Sequence, residues 1–494
     1  MKIQNKLAMA VGVSAVFLLT NCAKDFLEVP PQGQQPAEQF WTSEGDATKA
    51  VNAIYANLRG WTEVAFAPIA LESLGSDDTE TGSDPSDGSV AFMNMYNNFT
   101  VTSTQGQLSD FWNGRYQSIN LCNQVLDNIQ PISMDAGLKG RYLAEAKFIR
   151  AYEYFRLVRA FGDVPLRLHV PKDASEYNLP RTPKAQVWSA IEQDLNEAAA
   201  ALPPTYSGAD IGRATKGAAM ALLAKVKMYE AGPDFNSPKW AEVLSLTNTI
   251  IGSGTYDLFP SYEQLFRIPN ENNIESIFEI QATYVAGNCD ASNSQYSQVQ
   301  GVRSVARGGW GFNIPTSDLA ASYEAGDLRR NATIIFRGET TPQGDNIPAS
   351  VPNPMYNQKS YVPFTHPTNQ NCNEGSEQNI RVLRFAEVLL MNAEAAVNTN
   401  NLPLAKTSLN KVRTRAGLGN TTANDQTSLR LAVWNERRAE LAMEYDRYFD
   451  VIRQGRAQAI FGPMGWKPNK NEVWPVPQSE IDLSAGLLTQ NPGY

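Results

Sequence analysis

The chain of 494 residues sets 42 Lys and Arg against 51 Asp and Glu, a net charge of −9, with 42% hydrophobic residues. That length and apolar fraction allow a large core, and an acidic balance without a basic run excludes a nucleic-acid surface or adhesion to anionic lipid by charge. With two histidines and no GxSxG, P-loop, HExxH or nucleotide-binding glycine pattern, the usual catalytic, cofactor and metal signatures are missing from the sequence.

The chain opens on a positive stretch, Lys2 and Lys6, followed by the uncharged run LAMAVGVSAVFLL from Leu7 to Leu19. Thirteen apolar residues are short for a bilayer span but suit a signal-peptide core. The run ends in Leu19-Thr20-Asn21-Cys22, so residues 1–21 read as a lipoprotein signal peptide and Cys22 as the acylated first residue, although Asn21 stands where such sites usually carry Gly, Ala or Ser. Cleavage there leaves 473 residues and, because the leader holds two lysines and no acid, a charge of −11. The following AKDFLEVPPQGQQP suits a tether. Of the remaining cysteines, Cys122 falls in the helical pattern SINLCNQVLDNI as a small buried residue. Cys289 and Cys372 lie in polar sequence, and nothing in the sequence fixes whether they pair.

Further along, helical spacing dominates. Ala144, Phe148, Ala151, Phe155 and Val158 form one stripe, as do Trp188, Ile191, Leu195, Ala198 and Leu202. Ala219, Leu222, Val226 and Tyr229 form another, then Val382, Phe385, Leu389, Asn392 and Ala396, then Leu431, Trp434, Arg438, Leu441 and Tyr445. KGAAMALLAKVKMYEAG followed by SPKWAEVLSLTNTIIGSG, and VLRFAEVLLMNAEAAVNTNN followed by LPLAKTSLNKVRTRAGLG, each read as a helix, a short turn and a second helix starting near a proline. Segments 45–58 with 110–129 and 141–160 with 186–201 give two further pairs, about four in all. The expected fold is therefore all-α: tetratricopeptide-like helix pairs in a single domain over 22–494. Long irregular inserts at about 60–107 and 281–380, rich in Gly, Ser, Asp and Asn, interrupt it and are expected to carry the binding site. Their aromatic residues, Tyr96, Tyr284, Tyr296, Trp310, Phe312, Tyr356 and Tyr361, favour ordered, functional loops.

Several stretches together resemble one family. They are Cys22-Ala-Lys-Asp-Phe-Leu-Glu-Val-Pro30, AEAKFIRAYEYFRLVRAFGDVPL at 144–166, RVLRFAEVLLMNAEA at 381–395, LNKVRTRAGL at 409–418, NERRAELAMEYDRYFDVIRQG at 435–455, VWPVPQSEI at 473–481 and the terminal QNPGY. In that order, behind a lipoprotein signal, they are similar to the SusD/RagB family of Bacteroidota outer-membrane nutrient-binding lipoproteins. The resemblance implies a non-enzymatic, exterior-facing receptor anchored in outer-membrane lipid through acylated Cys22. It also implies a SusC-like TonB-dependent transporter as partner and an oligosaccharide as ligand, with neither nucleic acid nor a cofactor involved.

A sugar site needs aromatic faces for apolar C–H surfaces and short polar side chains for hydroxyls. Trp310, between glycines in ARGGWGFNIP, has no helix to pack into and is the first candidate, weighed against a tryptophan that merely plugs its loop. Tyr96 with Asn97, Tyr284, Tyr296 and Arg307 follow. Asp77 and Asp78 are further candidates, yet their cluster with Glu80, Asp84 and Asp87 departs from calcium-loop spacing and reads as a solvated acidic loop. Trp188, Trp434 and Tyr152 sit on helical stripes as core, and Glu436, Arg437, Arg438, Glu440 and Glu444 read as a helix ion-pair set. His169 and His366 stand alone, as surface or packing residues. Alternatives are a peptide-binding lid for the same transporter type, a scaffold gripping another protein, and a surface hydrolase.

Overall fold

Helix α1 (Glu44–Asn57) starts where Ser43 and Asp46 each accept the other's backbone N–H, a capping box that satisfies two otherwise orphaned donors. The computed structural model describes residues 40–288, 294–306, 308–367 and 375–494; the signal segment, Cys22, the tether, Cys289, Arg307 and Cys372 lie outside them. After α1 come α2 (Ser89–Asn97), α3 (Gly106–Asn128), α4 (Ala136–Phe161), α5 (Lys184–Ala201), α6 (Lys216–Ala231) and α7 (Lys239–Gly252). Towards the end come α8 (Phe385–Asn398), α9 (Leu402–Arg415), α10 (Gln426–Leu441) and α11 (Arg447–Arg453), followed by short helical turns at Ala457–Phe461 and Gln478–Leu483.

All four expected pairs are in contact, α1 with α3, α4 with α5, α6 with α7 and α8 with α9. The pairs also pack on one another through α3–α4, α5–α6 and α7–α8, making one continuous helical stack. Small residues allow this closeness: Ala218, Ala221 and Ala224 on α6 and Ala393 and Ala396 on α8 are fully buried. Cys122 is buried within α3, as its helical setting requires. Of the expected core aromatics, Trp434 is buried, while Trp188 and Tyr152 are partly buried against the core.

Three expectations need correction. The segment 60–107 is not an irregular loop: it holds short helical turns at Trp61–Val64, Phe66–Pro68 and Ile69–Ser73 as well as α2, and Ile69, Leu71 and Leu74 are fully buried. Its Ser- and Asp-rich average hides an apolar run that enters the core. Val382 does not belong to a helical stripe, because Ile380–Arg384 is a strand that pairs antiparallel with Ser276–Ile280. The stripe on α10 also breaks at its ends, with Leu431 48% exposed and Tyr445 beyond the helix at φ +68.

Six short strands form three two-stranded antiparallel sheets among the described residues: β1 (Thr79–Gly82) with β3 (Phe312–Pro315), β2 (Ser276–Ile280) with β6 (Ile380–Arg384), and β4 (Ile334–Phe336) with β5 (Met355–Asn357). The segment 281–380 thus folds around small cores of its own, where Tyr356 and Tyr361 are buried with Ile335 and Ile347. Phe312, Tyr356 and Tyr361 therefore serve packing rather than ligand contact. The charged set on α10 is likewise not confined to its helix. Glu440 accepts from Arg384 of β6 at 2.6 Å, Arg415 of α9 at 2.5 Å and Arg329 of the inserted segment at 3.2 Å. These buried charges are tolerable only because each is matched.

Candidate functional site

Strand β1 runs antiparallel to β3, with Thr79 opposite Pro315 and Gly82 opposite Phe312. At its far end the backbones approach as closely as glycines permit: Gly82 has φ +73, and a Cβ there would sit 2.3 Å from the Gly311 carbonyl oxygen. Ser83 N–H donates to that same oxygen at 2.6 Å. An open groove of about 780 Å³ lies along β1, lined by Asp77, Glu80, Asn97 and Asp318, with Ile460 and Met464 as its apolar wall.

The groove is braced from beneath. Asn97 donates to the carbonyls of Leu74 at 2.6 Å and Thr79 at 3.0 Å and accepts from the Thr81 hydroxyl at 2.8 Å, so its amide holds β1 in place. Asp77 accepts two hydrogen bonds of 2.8 Å from Arg447. Asp78, 1% exposed, accepts from Arg438 at 2.7 Å, and the same guanidinium reaches Asp318 at 2.6 Å. Burial alone would raise the Asp77 carboxyl, but Arg447 and Arg438 outweigh it and hold it below the usual carboxylate range. For Asp78, burial and the neighbouring Asp77 win, and its carboxyl is raised. The solvated acidic loop expected at Asp77 and Asp78 is thus a clamped one: two arginines from residues 438–447 fix it.

Trp310, which precedes Gly311 in the chain, belongs to an aromatic cluster. Trp61, 40% exposed, and half-buried Trp310 stand 5.9 Å apart between ring centroids, and Phe66 lies 5.6 Å from the first and 5.9 Å from the second. Phe66 in turn packs edge-on against buried Phe312 at 4.8 Å, tying the cluster to β3. Trp310 N–H donates to the Gln298 carbonyl at 2.8 Å. Trp310 therefore both plugs its loop and contributes to the surface.

The remaining candidates separate. Tyr96 is fully buried against Trp474 at 5.4 Å, and Tyr296 is buried edge-on to Tyr445 at 6.3 Å, so neither ring has a face for a ligand. Tyr284 is half-buried beyond the end of β2 and lines neither the groove nor the aromatic cluster. Sequence reasoning passed over Trp61 and Phe66, although Trp61 follows Gly60 just past a helix end and so carries the same signal that singled out Trp310.

The fold and site define a class: a helical stack that carries an open polar groove and a pair of partly exposed tryptophans, one of them just before Gly311 in the chain. The chain belongs to the SusD/RagB family. Residues 274–494 match the model described as the SusD family, and residues 25–228 match one described as starch-binding associating with the outer membrane. The chain is 29% identical to SusD-like protein P2 of Formosa agariphila over 97% of this chain and 98% of that one. It is 28% identical to a SusD-like protein of Bacteroides ovatus, over 92% and 83% of the respective chains. Among solved structures, a laminarin binding SusD-like protein superposes with a TM-score of 0.78 at 29% identity, covering 92% of this chain and all of the other. Surface glycan-binding protein A from Bacteroides thetaiotaomicron, solved in complex with laminarihexaose, shares the fold at a TM-score of 0.77 and 24% identity, over 91% of this chain and 100% of that one.

Proposed function

We propose that this protein captures oligosaccharide at the cell surface without transforming it, and hands it to a SusC-like TonB-dependent transporter in the outer membrane. A lipid anchor at acylated Cys22 would hold it there, facing the exterior. The observation that carries the reading is the Trp61–Trp310 pair, with Trp310 next in the chain to the Gly82–Gly311 contact that bounds a groove of carboxylates, amides and hydroxyls. Indole faces take up the apolar C–H surface of a sugar ring while short polar side chains meet its hydroxyls. The glycan-binding relatives support the same assignment.

Trp61 leaves 40% of its surface open. Covering the roughly 80 Å² this represents contributes about 2 kcal/mol, so Trp61→Ala and Trp310→Ala should each weaken binding about ten- to thirtyfold. Calorimetric titration of the mature chain against neutral oligosaccharides, laminarihexaose among them, and against mixed peptides is the test. Saturable sugar binding without product, weakened in both variants, supports the receptor. Binding of peptides alone would replace the ligand class, and product formation would make the protein a hydrolase.

A further inference from the structure

We infer that the groove along β1 is a charge filter that admits uncharged oligosaccharides and rejects uronate- or sulfate-bearing ones, with Glu80 and Asp318 as its specificity-determining residues. This rests on the glycan-binding reading above. Among the described residues the lining contains three carboxylates, Asp77, Glu80 and Asp318, and neither lysine nor arginine. The guanidiniums beneath it are already engaged. Arg447 gives both of its hydrogen bonds to Asp77, and Arg438 is shared among Asp77, Asp78 and Asp318. Four carboxylates thus face two guanidiniums. Among the described residues the exposed Glu80 side chain has neither hydrogen bond nor ion pair, and Asp318 is 70% exposed.

The neighbouring cations do not redress this balance. Arg456 stacks over Trp434 at 5.2 Å, lies outside the lining and forms no ion pair among the described residues. Its charge acts on Asp77 but still leaves three guanidiniums against four carboxylates, and Arg303, towards the aromatic end, pairs with Asp87 at 3.3 Å. An anionic sugar entering the groove would meet excess negative charge with no basic side chain among the described lining residues, a repulsive element of the kind that sets specificity. Neutral hydroxyls meet the opposite situation, because carboxylates and amide oxygens are strong acceptors for them.

The test compares one neutral oligosaccharide that binds the mature chain with the same oligosaccharide oxidised at its primary hydroxyls to carboxylates, so that only charge differs. At low salt the oxidised form should bind at least about fivefold more weakly per carboxylate placed in the groove. The gap should narrow in 0.5 M salt, where exposed charges are screened within about 5 Å. In Glu80→Gln/Asp318→Asn the ratio of the two dissociation constants should fall towards one, a readout independent of any common loss in affinity. Equal or tighter binding of the oxidised form by the unmodified chain would overturn the filter, and loss of that binding in Arg456→Ala would identify the cation responsible. If no oligosaccharide binds in either form, the glycan-binding reading itself fails. A neutral ligand that binds while the ratio ignores both salt and substitution refutes only the filter.

Discussion

Glu153 of α4 should be protonated in the folded protein, and replacing it with glutamine should reveal this as a difference in pH dependence. Its side chain is wholly buried, with Arg115 Nε at 3.1 Å and Arg156 Nη1 at 3.7 Å, and neither carboxyl oxygen receives a hydrogen bond. Proximity to Arg115 argues for the charged form. Yet Arg115 is paired with Glu63, and Arg156 reaches Glu63 and Glu72 at 2.8 Å each, so the same guanidiniums serve three carboxylates. Burial, followed by Glu63, pushes the Glu153 carboxyl from 4.5 up to about 8. Between those values the native state holds a proton that the unfolded chain has released, so stability falls as pH rises through the window. Each pH unit is worth about 1.4 kcal/mol, so roughly 3–5 kcal/mol accumulates by pH 8. Glutamine mimics the protonated carboxyl and cannot ionise. Glu153→Gln should match the unmodified chain near pH 4.5 and exceed it by about 3–5 kcal/mol near pH 8. Urea unfolding followed by tryptophan fluorescence at half-unit pH steps measures this, because titrating groups that do not interact with Glu153 cancel in the difference. A flat difference across the window refutes the reasoning, and a variant less stable at pH 8 would mean that Glu153 is ionised and paired with Arg115.

Three further outcomes are expected. Trp474 is fully buried among Tyr96, Phe99 and Tyr448, with its Nε1 donating to the Leu71 carbonyl at 2.9 Å, so Trp474→Ala should cost about 4 kcal/mol in the same urea assay. Gly82→Ala would drive a methyl group into the Gly311 carbonyl and force β1 from β3; titration should show sugar affinity reduced more than tenfold while far-UV circular dichroism keeps its helical signal. Burial holds the Lys359 ammonium down at about 8 against 10.5 when unfolded. The unfolded chain therefore binds the extra proton between those values and stability gains as pH rises from 8 to 10.5; Lys359→Met should abolish that gain in urea midpoints.

The helical stack was legible because each long helix carries its own apolar period and several carry their own caps, such as Thr215 before α6 and Asp425 before α10. What was not legible depends on partners far away in the chain. RVLR reads as the start of a helix until β2, about a hundred residues earlier, supplies the strand it pairs with. Tyr96 looks like a loop aromatic because Trp474, which covers it, arrives near the end of the chain. Asp77 and Asp78 look solvated because Arg438 and Arg447 lie some 360 residues further on.

The same long-range placements explain why the family was easier to recognise than the ligand. The stretches that carry the resemblance, 435–455 and 473–481, supply Arg438 and Arg447 under the groove, Glu440 in the buried ion network and Trp474 in the core. They brace the groove from below and stand apart from its exposed lining. The surface proposed for the ligand comes from Trp61, Glu80, Trp310 and Asp318, which sit outside those stretches in segments of weak local pattern. Ligand preference can therefore change by substitution at these four positions while the clamp beneath them stays the same, which is why the framework motifs identify the receptor type and the exposed residues must be read to infer what it takes up.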